Sequence, residues 1–215
     1  MLIPGRSLVI FPVWQAGGRR TLIIFGIFML MDPSANSFRL ALILGGARSG
    51  KSRYGLSLAT RFPAPRLFIA TGEAKDAEMA ARIAAHQQER EPGWETREEP
   101  LNLADALAGA QGRYGAILVD CLTMWVSNLM LREGISQAEI ESECACLVQT
   151  LAATGTPTVL ISNEVGLGIV PENRLAREFR DRAGWLHQRL AQVADLVVLV
   201  VAGVPLVVKV AWEGD

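Results

Sequence analysis

One stretch decides the fold of this 215-residue chain: FRLALIL at Phe38–Leu44, followed by GGARSGKS at Gly45–Ser52. The first part is a short apolar run that predicts a buried strand, and the second fits the pattern G-x-x-x-x-G-K-[ST]. Glycines at its first and sixth positions let the backbone curl until successive N–H groups point inward. The Lys51 ammonium then reaches the β- and γ-phosphates of a nucleotide. With a helix predicted over Lys51 to Arg61, the stretch is typical of a phosphate-binding loop; the alternative is a structural glycine turn in an ordinary βα unit.

Length and composition favour one domain with a small-molecule partner. The chain suits a single sizeable α/β domain, and its formal net charge of -1 comes without a long run of like charges. This argues against a nucleic-acid partner and against a polybasic membrane patch. The cysteines lack both the C-x-x-C spacing of a redox or zinc site and the even count of a disulfide framework. We expect reduced, packed thiols in a cytoplasmic protein: Cys121, Cys144 and Cys146.

Residues 1–37 are set apart from this domain. Arg19-Arg20 and the apolar run Thr21–Met31 imitate a signal peptide, but no A-x-A-like cleavage site is evident and the run is too short to span a bilayer. Export would also separate the phosphate loop from cytosolic nucleotide and Mg²⁺, so secretion is not expected, and the short run predicts no stable membrane insertion. We interpret residues 1–37 as a flexible extension, or as a start placed too far upstream with Met31 the true first residue. Residues 38–215 are then the single P-loop domain.

Apolar runs bounded by turn residues recur along the chain, with helix-period segments between them. They are Phe38–Leu44, Leu67–Thr71, Ala116–Cys121, Thr158–Ser162 and Leu196–Val201. This alternation predicts an α/β fold with a mostly parallel central sheet and helices on both faces. Ligands in such sheets collect at the carboxyl ends of the strands. Four residues are therefore expected to converge on one crevice: Gly45, Thr71, Asp120 and Asn163.

Asp120 ends a predicted strand in the manner of a Walker-B carboxylate. A Mg²⁺ bound to β- and γ-phosphate oxygens needs a hard oxygen ligand opposite the Ser52 hydroxyl, so Ser52 and Asp120 are the predicted metal ligands. The alternative is that Asp120 is the N-cap of the helix that follows it.

His86 lies in a segment rich in helix formers, residues 76–90. Arg82 and Arg90 stand four residues to either side, so a helix would place the imidazole between two guanidiniums on one face. Such a face can grip phosphate oxygens, and the positive charge keeps the imidazole neutral and nucleophilic. The alternative is a solvated helix face with a surface histidine. The second histidine, His187, is expected to be a packing or surface residue.

An arginine stripe and the tryptophans do not by themselves indicate a function. Arg174, Arg177 and Arg180 follow the flexible apolar loop Val165–Pro171 at intervals of three. Such a stripe binds phosphate or an acidic neighbouring subunit, or it forms an exposed salt-bridged face. The tryptophans are too dispersed for an aromatic cage and are expected to pack in the core or in an interface. They are Trp94, Trp125 and Trp185.

Several motifs occur in a characteristic order. They are GGARSGKS at Gly45–Ser52, IATGE ending at Glu73, EMAARI before His86, DCLT at Asp120–Thr123 and SNEVGLGIVPENR at Ser162–Arg174. With these motifs the chain resembles the bifunctional adenosylcobinamide kinase / adenosylcobinamide-phosphate guanylyltransferase family of cobalamin biosynthesis, from about Leu40 to Lys209. The ordered motifs make this resemblance more specific than the phosphate loop alone, and they favour a chemical role for His86.

The resemblance implies a RecA-like P-loop NTPase fold, a homotrimer and two reactions. ATP or GTP would phosphorylate the aminopropanol hydroxyl of adenosylcobinamide. His86 would then attack the α-phosphorus of GTP, expel pyrophosphate and pass GMP to adenosylcobinamide phosphate, which gives adenosylcobinamide-GDP. The same resemblance implies the nucleotide-binding residues, which are Gly45, Gly46, Ala47, Arg48, Ser49, Gly50, Lys51, Ser52, Thr71, Gly72, Glu73, Gln87, Gln88, Glu89, Arg90, Glu98 and Asp120.

Two other functions stay open at this point. One is a simple P-loop kinase for a small alcohol, in which His86 only grips phosphate; the other is a non-catalytic GTP-dependent switch. Against the switch, no N-K-x-D tetrapeptide occurs in the chain. In the two-reaction interpretation His86 must reach the α-phosphate while Lys51 anchors the triphosphate, so its segment must move or dock. Gly72 to Lys75 is the expected place of that movement, with Gly72 as the hinge.

Overall fold

The structure is a computed structural model that describes residues 13–14, 20–21, 38–72 and 92–210. Met1–Ser37 and Phe38–Asp215 form two separate units. In the first unit, strand β1 (Val13–Trp14) pairs antiparallel with strand β2 (Arg20–Thr21). The interpretation of residues 1–37 as an extension or a misplaced start stays a prediction.

The second unit is an α/β domain with seven strands and five helices among its described residues. In chain order these are β3 (Leu40–Gly45), α1 (Lys51–Ala59), β4 (Arg66–Ala70), β5 (Trp94–Glu98), α2 (Leu103–Ala110), β6 (Ala116–Asp120), α3 (Leu122–Leu131), α4 (Gln137–Ala152), β7 (Thr158–Asn163), α5 (Arg174–Val193), β8 (Leu196–Val201) and β9 (Val204–Val210). The strand order across the sheet is β5-β4-β6-β7-β3-β8-β9. Only the β8–β9 pair is antiparallel among the described pairs of this sheet. The predicted α/β fold with a mostly parallel sheet is confirmed.

Strand β3 lies inside the sheet and divides the core in two. Leu40 and Leu42 point to one face and Ala41 and Ile43 to the other, because side chains alternate along a strand. All four are at most 1% exposed, which explains why this strand is apolar throughout instead of alternating with polar residues. Helices α2 to α5 cover the first face and α1 covers the second, so helices on both faces are confirmed.

The carboxyl ends of the inner strands bring the predicted crevice residues to one edge of the sheet. Gly45 at the end of β3 is the register partner of Asn163 at the end of β7. Asp120 at the end of β6 is the partner of Ala70, which immediately precedes Thr71. Strand β7 lies between β3 and β6, so it separates the glycine-rich loop from Asp120 by one strand.

Two expectations about helix ends need correction. The helix predicted over Lys51 to Arg61 ends at Ala59, because Thr60 closes it with its backbone N–H and its hydroxyl, which bonds to the Leu56 carbonyl at 2.8 Å. Asp120 is not the N-cap of the following helix. Cys121 holds that position before α3, and its side chain makes no capping hydrogen bond.

No described helix has both the length and the apolar character that a membrane crossing requires.

Candidate functional site

The glycine-rich loop connects β3 to α1 and needs glycine at two positions. A Cβ on Gly45 would lie 2.5 Å from Ser49 Oγ and 2.6 Å from the Val200 carbonyl oxygen, so the loop packs directly on its own turn and on β8. Gly50 has φ 92°, a left-handed conformation that a larger residue adopts only under strain. The Ser49 amide donates to the Gly46 carbonyl at 3.2 Å and closes the turn. The loop is therefore a rigid, preformed cradle.

Lys51 and the start of α1 supply the positive potential of this cradle. The Lys51 ammonium donates to the Gly46 carbonyl at 3.3 Å, so the side chain folds back over the loop, and the residue is 9% exposed. Gly50 is the N-cap of α1 and offers no side-chain acceptor to the first-turn N–H groups. Free N–H groups at a helix N-terminus together with the helix dipole form an anion site. The cradle can hold the phosphates of a nucleotide.

The turn between β8 and β9 supports the phosphate loop from behind. Gly203 at φ 82° donates its amide hydrogen to the Ser49 carbonyl at 2.8 Å. A Cβ on Gly50 would lie 3.3 Å from Gly203 Cα, so the two backbones are in close contact. The sequence analysis missed this contact, because Val201 and Gly203 stand about 150 positions after the loop and carry no side-chain motif.

Replacing Gly45 by alanine is expected to destabilise the domain, while the same change at Gly46 is neutral. The new methyl group at Gly45 meets the Val200 backbone, and forced overpacking of this kind costs about 1–3 kcal/mol. A Cβ on Gly46 has no atom within 4 Å. Urea unfolding of the two variants without nucleotide measures the difference. Equal stability of both variants would contradict the described packing of the loop.

A network of buried polar groups holds the backbone around Asp120. The Thr71 hydroxyl donates to the Cys121 carbonyl at 2.7 Å and accepts from the Cys121 amide at 2.9 Å. The Asn163 amide donates to Thr123 Oγ1 at 2.9 Å. These bonds join the ends of β4, β6 and β7 and fix the backbone that follows Asp120. Thr71 is fully buried and links the end of β4 to the backbone of Cys121. Its predicted contact with a nucleotide stays a prediction.

The Cys121 thiol is kept protonated by its surroundings. Burial raises its pKa, the neighbouring Asp120 carboxylate raises it further, and Lys51 opposes this rise. Its sulfur lies 3.2 Å from Thr123 Oγ1. Both Asp120 and Lys51 thus act electrostatically on one buried sulfur.

The donor set at the edge fits a magnesium ion. Ser52 is the second residue of α1, and Asp120 is the last residue of β6. Mg²⁺ prefers oxygen ligands and is usually held by one or two carboxylates together with substrate phosphates and water. No cluster of three or more His, Cys, Asp or Glu side chains suited to a metal occurs among the described residues. A hydroxyl and a carboxylate are hard oxygen ligands, which match magnesium better than a transition metal.

The remaining predicted nucleotide residues fall partly outside the described chain. Glu98 is exposed at the end of β5, level with Ala70, and four strand positions from β3. At ~4.8 Å per strand this is about 19 Å, too far for Glu98 to touch a phosphate in the loop. Gly72 follows Thr71, and a Cβ there would meet nothing within 4 Å. The other predicted residues lie outside the described residues: Glu73, His86, Gln87, Gln88, Glu89 and Arg90.

His187 is a packing residue that joins α5 to the site. Its Nε2 lies 2.7 Å from the Ser162 hydroxyl, and both residues are buried. Ser162 precedes Asn163 on β7, so this bond positions α5 behind the site edge. Burial lowers the pKa of His187, and Glu164 partly opposes that effect.

The buried His187 is expected to make the domain less stable in acid. The folded protein prefers neutral imidazole, whereas the unfolded chain takes up a proton near its ordinary pKa of 6.5. Stability is therefore complete above that pKa and falls as the pH drops below it, by at most about 1.4 kcal/mol per pH unit for one group. Urea unfolding at pH 7.5, 6.5 and 5.5 should show this loss in the unaltered protein and a smaller loss in His187→Gln. Parallel pH profiles would contradict it.

The structure decides several of the open side-chain expectations. Within the arginine stripe, Arg174 pairs with Glu178 at 2.7 Å and Arg180 with Asp181 at 3.0 Å, which is the salt-bridged alternative.

Cys121 and Cys144 are buried free thiols as expected, but Cys146 is exposed because it lies on the outer side of α4. Trp125 is fully buried, with its indole N–H on the Leu101 carbonyl, and Trp94 is half-buried. Trp185 is 56% exposed and is not a core residue.

A glycine cradle at the carboxyl edge of a parallel sheet, with a lysine over it and a carboxylate two strands away, defines a P-loop nucleotide-binding protein. The family model described as cobinamide kinase / cobinamide phosphate guanyltransferase matches residues 41–208. The chain belongs to this family, and it is an enzyme of the transferase class.

Three curated relatives agree with that membership. The chain is 44% identical over 168 residues to the bifunctional adenosylcobalamin biosynthesis protein CobP of Pseudomonas aeruginosa, covering 78% of this chain and 96% of that protein. It is 41% identical to CobU of Salmonella typhimurium and 38% to CobU of Escherichia coli, each over 181 residues covering 79% of this chain and 99% of the relative. A solved structure, the flagellar accessory protein FlaH from Methanocaldococcus jannaschii, is far more distant. It is 11% identical with a TM-score of 0.44, covers 80% of this chain and 79% of that one, and adds nothing to the assignment.

Proposed function

We propose that the protein phosphorylates adenosylcobinamide and then guanylylates the product in cobalamin biosynthesis. The phosphoryl donor is ATP or GTP, and the second step transfers GMP from GTP to adenosylcobinamide phosphate through a GMP-histidine intermediate. The observation that carries the proposal is the rigid phosphate cradle with Lys51 folded over it, in a chain of a family named for both activities. The curated relatives are described as bifunctional proteins of the same pathway.

The kinase step follows from the cradle. The first-turn N–H groups of α1 and the Lys51 ammonium hold the β- and γ-phosphates and stabilise the charge that spreads over the γ-oxygens during transfer. The acceptor oxygen forms a bond to the γ-phosphorus and its proton passes to solvent, while the bond from the γ-phosphorus to the bridging oxygen breaks and the nucleoside diphosphate leaves. Mg²⁺, held by Ser52 and Asp120, would neutralise the β- and γ-oxygens when bound. Thr71 and Asn163 bond to Cys121 and Thr123 and so keep the chain that follows Asp120 in place.

The guanylyl step needs a nucleophile that the cradle does not contain. A neutral imidazole nitrogen of His86 attacks the α-phosphorus of GTP, and the bond to the bridging oxygen breaks and releases pyrophosphate. A phosphate oxygen of adenosylcobinamide phosphate then displaces the imidazole, so the phosphoramidate bond breaks and a new diphosphate bond forms. His86 lies outside the described residues, and its support is the family membership and its place between Arg82 and Arg90.

The connection that carries His86 leaves the sheet at the site edge. Strand β4 ends at Ala70, level with Asp120, and its neighbour β5 ends at Glu98 at the same edge. The segment between them, which carries His86, lies outside the described residues, and its reach to the α-phosphate of a GTP held in the loop of β3 is part of the proposal.

A two-stage assay tests the function. The protein is given adenosylcobinamide with ATP and Mg²⁺, then GTP, and the products are separated and weighed by mass spectrometry. We expect adenosylcobinamide phosphate in the first stage and adenosylcobinamide-GDP in the second. Adenosylcobinamide phosphate as the only product in both stages would support the simple kinase. If neither corrinoid product forms, the nucleotide-dependent switch is the remaining function.

The proposal extends to assembly and location, which the described contacts do not address. We infer a homo-oligomer, a trimer by resemblance to the family, working in the cytoplasm where its nucleotides are present. Light scattering on the purified protein measures the first, and cell fractionation measures the second.

A further inference from the structure

Three large apolar side chains project from the loop between β7 and α5. Leu167 is 84% exposed, Ile169 is 97% exposed and Val170 is 59% exposed. Proteins rarely expose large apolar patches that have no partner, and an exposed cluster of this kind marks a ligand or protein contact.

The polar groups of this loop hold it open. The Arg177 guanidinium donates to the Pro171 carbonyl at 3.0 Å and also to the carbonyl of Glu172. At the other end, the Glu164 carboxylate accepts from the Gly166 amide at 2.6 Å. Both ends of the loop are thus held by hydrogen bonds, while its apolar middle is exposed. The exposure is a built feature of the loop.

The apolar character continues next to the loop in a groove between α3 and α5. The groove has a volume of about 340 Å³ and is lined by Ser127, Met130, Leu131, Asn173, Leu175 and Phe179, among others. Leu131 is 60% exposed and Leu175 47% exposed at its rim. Ser127 and Asn173 add hydrogen-bonding groups to an otherwise hydrocarbon surface. We call the loop side chains of Leu167, Ile169 and Val170 together with this groove the apolar platform.

The loop of the apolar platform starts at the same carboxyl edge of the sheet as the phosphate cradle. The loop starts after Asn163, and the Glu164 amide donates to the Gly45 carbonyl at 3.0 Å, so its first residue is bonded to the cradle. Helix α5 runs from Arg174 to Val193 and leads into the start of β8, about 30 Å of helix. Because its C-terminal end meets the amino end of β8, its N-terminal end lies toward the carboxyl edge of the sheet.

We propose that the apolar platform binds the corrin macrocycle of the acceptor substrate. This inference rests on the proposed function, in which a small hydroxyl arm enters the cradle while the bulky ring stays outside. A corrin ring has broad hydrocarbon faces and a periphery of carboxamides, which matches exposed aliphatic side chains with a few hydrogen-bonding groups between them. The loop reaches from the cradle outward, so it joins the phosphorylation point to the ring-binding surface.

The double variant Leu167→Ser/Ile169→Ser tests the apolar platform. Both side chains are exposed, so the fold stays intact, and Val208→Ser on β9, a residue 66% exposed, is the matched control. We expect the KM for adenosylcobinamide to rise about tenfold or more with an unchanged KM for ATP, because the two substitutions remove six apolar carbon atoms and the lost burial of even two methylene equivalents accounts for a tenfold change. Equilibrium dialysis with cobinamide should show the same loss of affinity, and Val208→Ser should change neither value.

The outcomes separate this inference from the function on which it rests. If the unaltered protein neither binds nor phosphorylates the corrinoid, the proposed function fails and the inference fails with it. If the unaltered protein is active but the double variant keeps its affinity for cobinamide, the inference alone is wrong. A lower particle mass of the double variant in light scattering, with cobinamide affinity restored at high protein concentration, would show a contact between copies of this chain and would also overturn it.

Discussion

Lys51→Ala is expected to impair both reactions severely. The Lys51 ammonium donates to the Gly46 carbonyl and so lies over the loop, and its removal takes from the cradle the cation that is expected to hold the β- and γ-phosphates. Loss of a donor aimed at developing charge lowers the rate on the order of 10²–10³-fold. Steady-state kcat/KM for the phosphorylation of adenosylcobinamide and for the guanylylation of its phosphate measures the effect.

Lys209→Ala is the matched control for that experiment. Lys209 also has its ammonium on backbone carbonyls, those of Ala191 at 2.8 Å and Gln192 at 3.0 Å, but it stands near the start of β8, opposite the cradle. We expect unchanged kcat/KM and a stability loss of about 1 kcal/mol, the usual size of one such interaction. A Lys51→Ala enzyme that keeps one reaction at full rate would show that the two steps use separate phosphate sites.

His86→Asn is expected to eliminate guanylylation and leave phosphorylation intact. The cradle, Lys51 and Asp120 supply the kinase step without an imidazole, whereas the GMP intermediate needs a nucleophilic ring nitrogen that asparagine lacks. The measurement is the ratio of adenosylcobinamide phosphate to adenosylcobinamide-GDP formed with both nucleotides present. The variant should accumulate the phosphate alone.

His187→Asn controls for the loss of a histidine as such. Its imidazole is buried against Ser162 and has no access to a substrate, so this variant should still guanylylate, with reduced stability as its main change. Equal loss of phosphorylation and guanylylation in His86→Asn would contradict a separate covalent role for His86.

The central fold was predictable because its elements are locally encoded. Buried parallel strands are apolar throughout, so β3 and β6 can be recognised in the sequence as continuous apolar runs. The spacing of Gly45, Gly50 and Lys51 predicts the cradle. Because strands and helices alternate along the chain, the strands are expected to be parallel, and their carboxyl ends bring Asp120 and Asn163 to one edge of the sheet. The crevice was therefore predictable from the sequence before any contact was known.

The edges of the sheet were not predictable in the same way. Strand β5 reads WETRE and is mostly exposed, so no apolar pattern marks it. Strand β9 contains Pro205, which argues against a strand, but it is tolerated here because β9 is an edge strand. The Gly203 contact behind the loop and the Thr71 bonds to Cys121 join distant segments, and only tertiary packing brings such groups together.

The most direct test of the account is the mass of the protein after incubation with GTP and Mg²⁺ in the absence of corrinoid. We expect a covalent adduct of one guanylyl group, located on His86 by peptide fragmentation, absent from His86→Asn and discharged by adenosylcobinamide phosphate. Continued turnover to adenosylcobinamide-GDP by a protein that never carries this adduct would contradict the covalent mechanism.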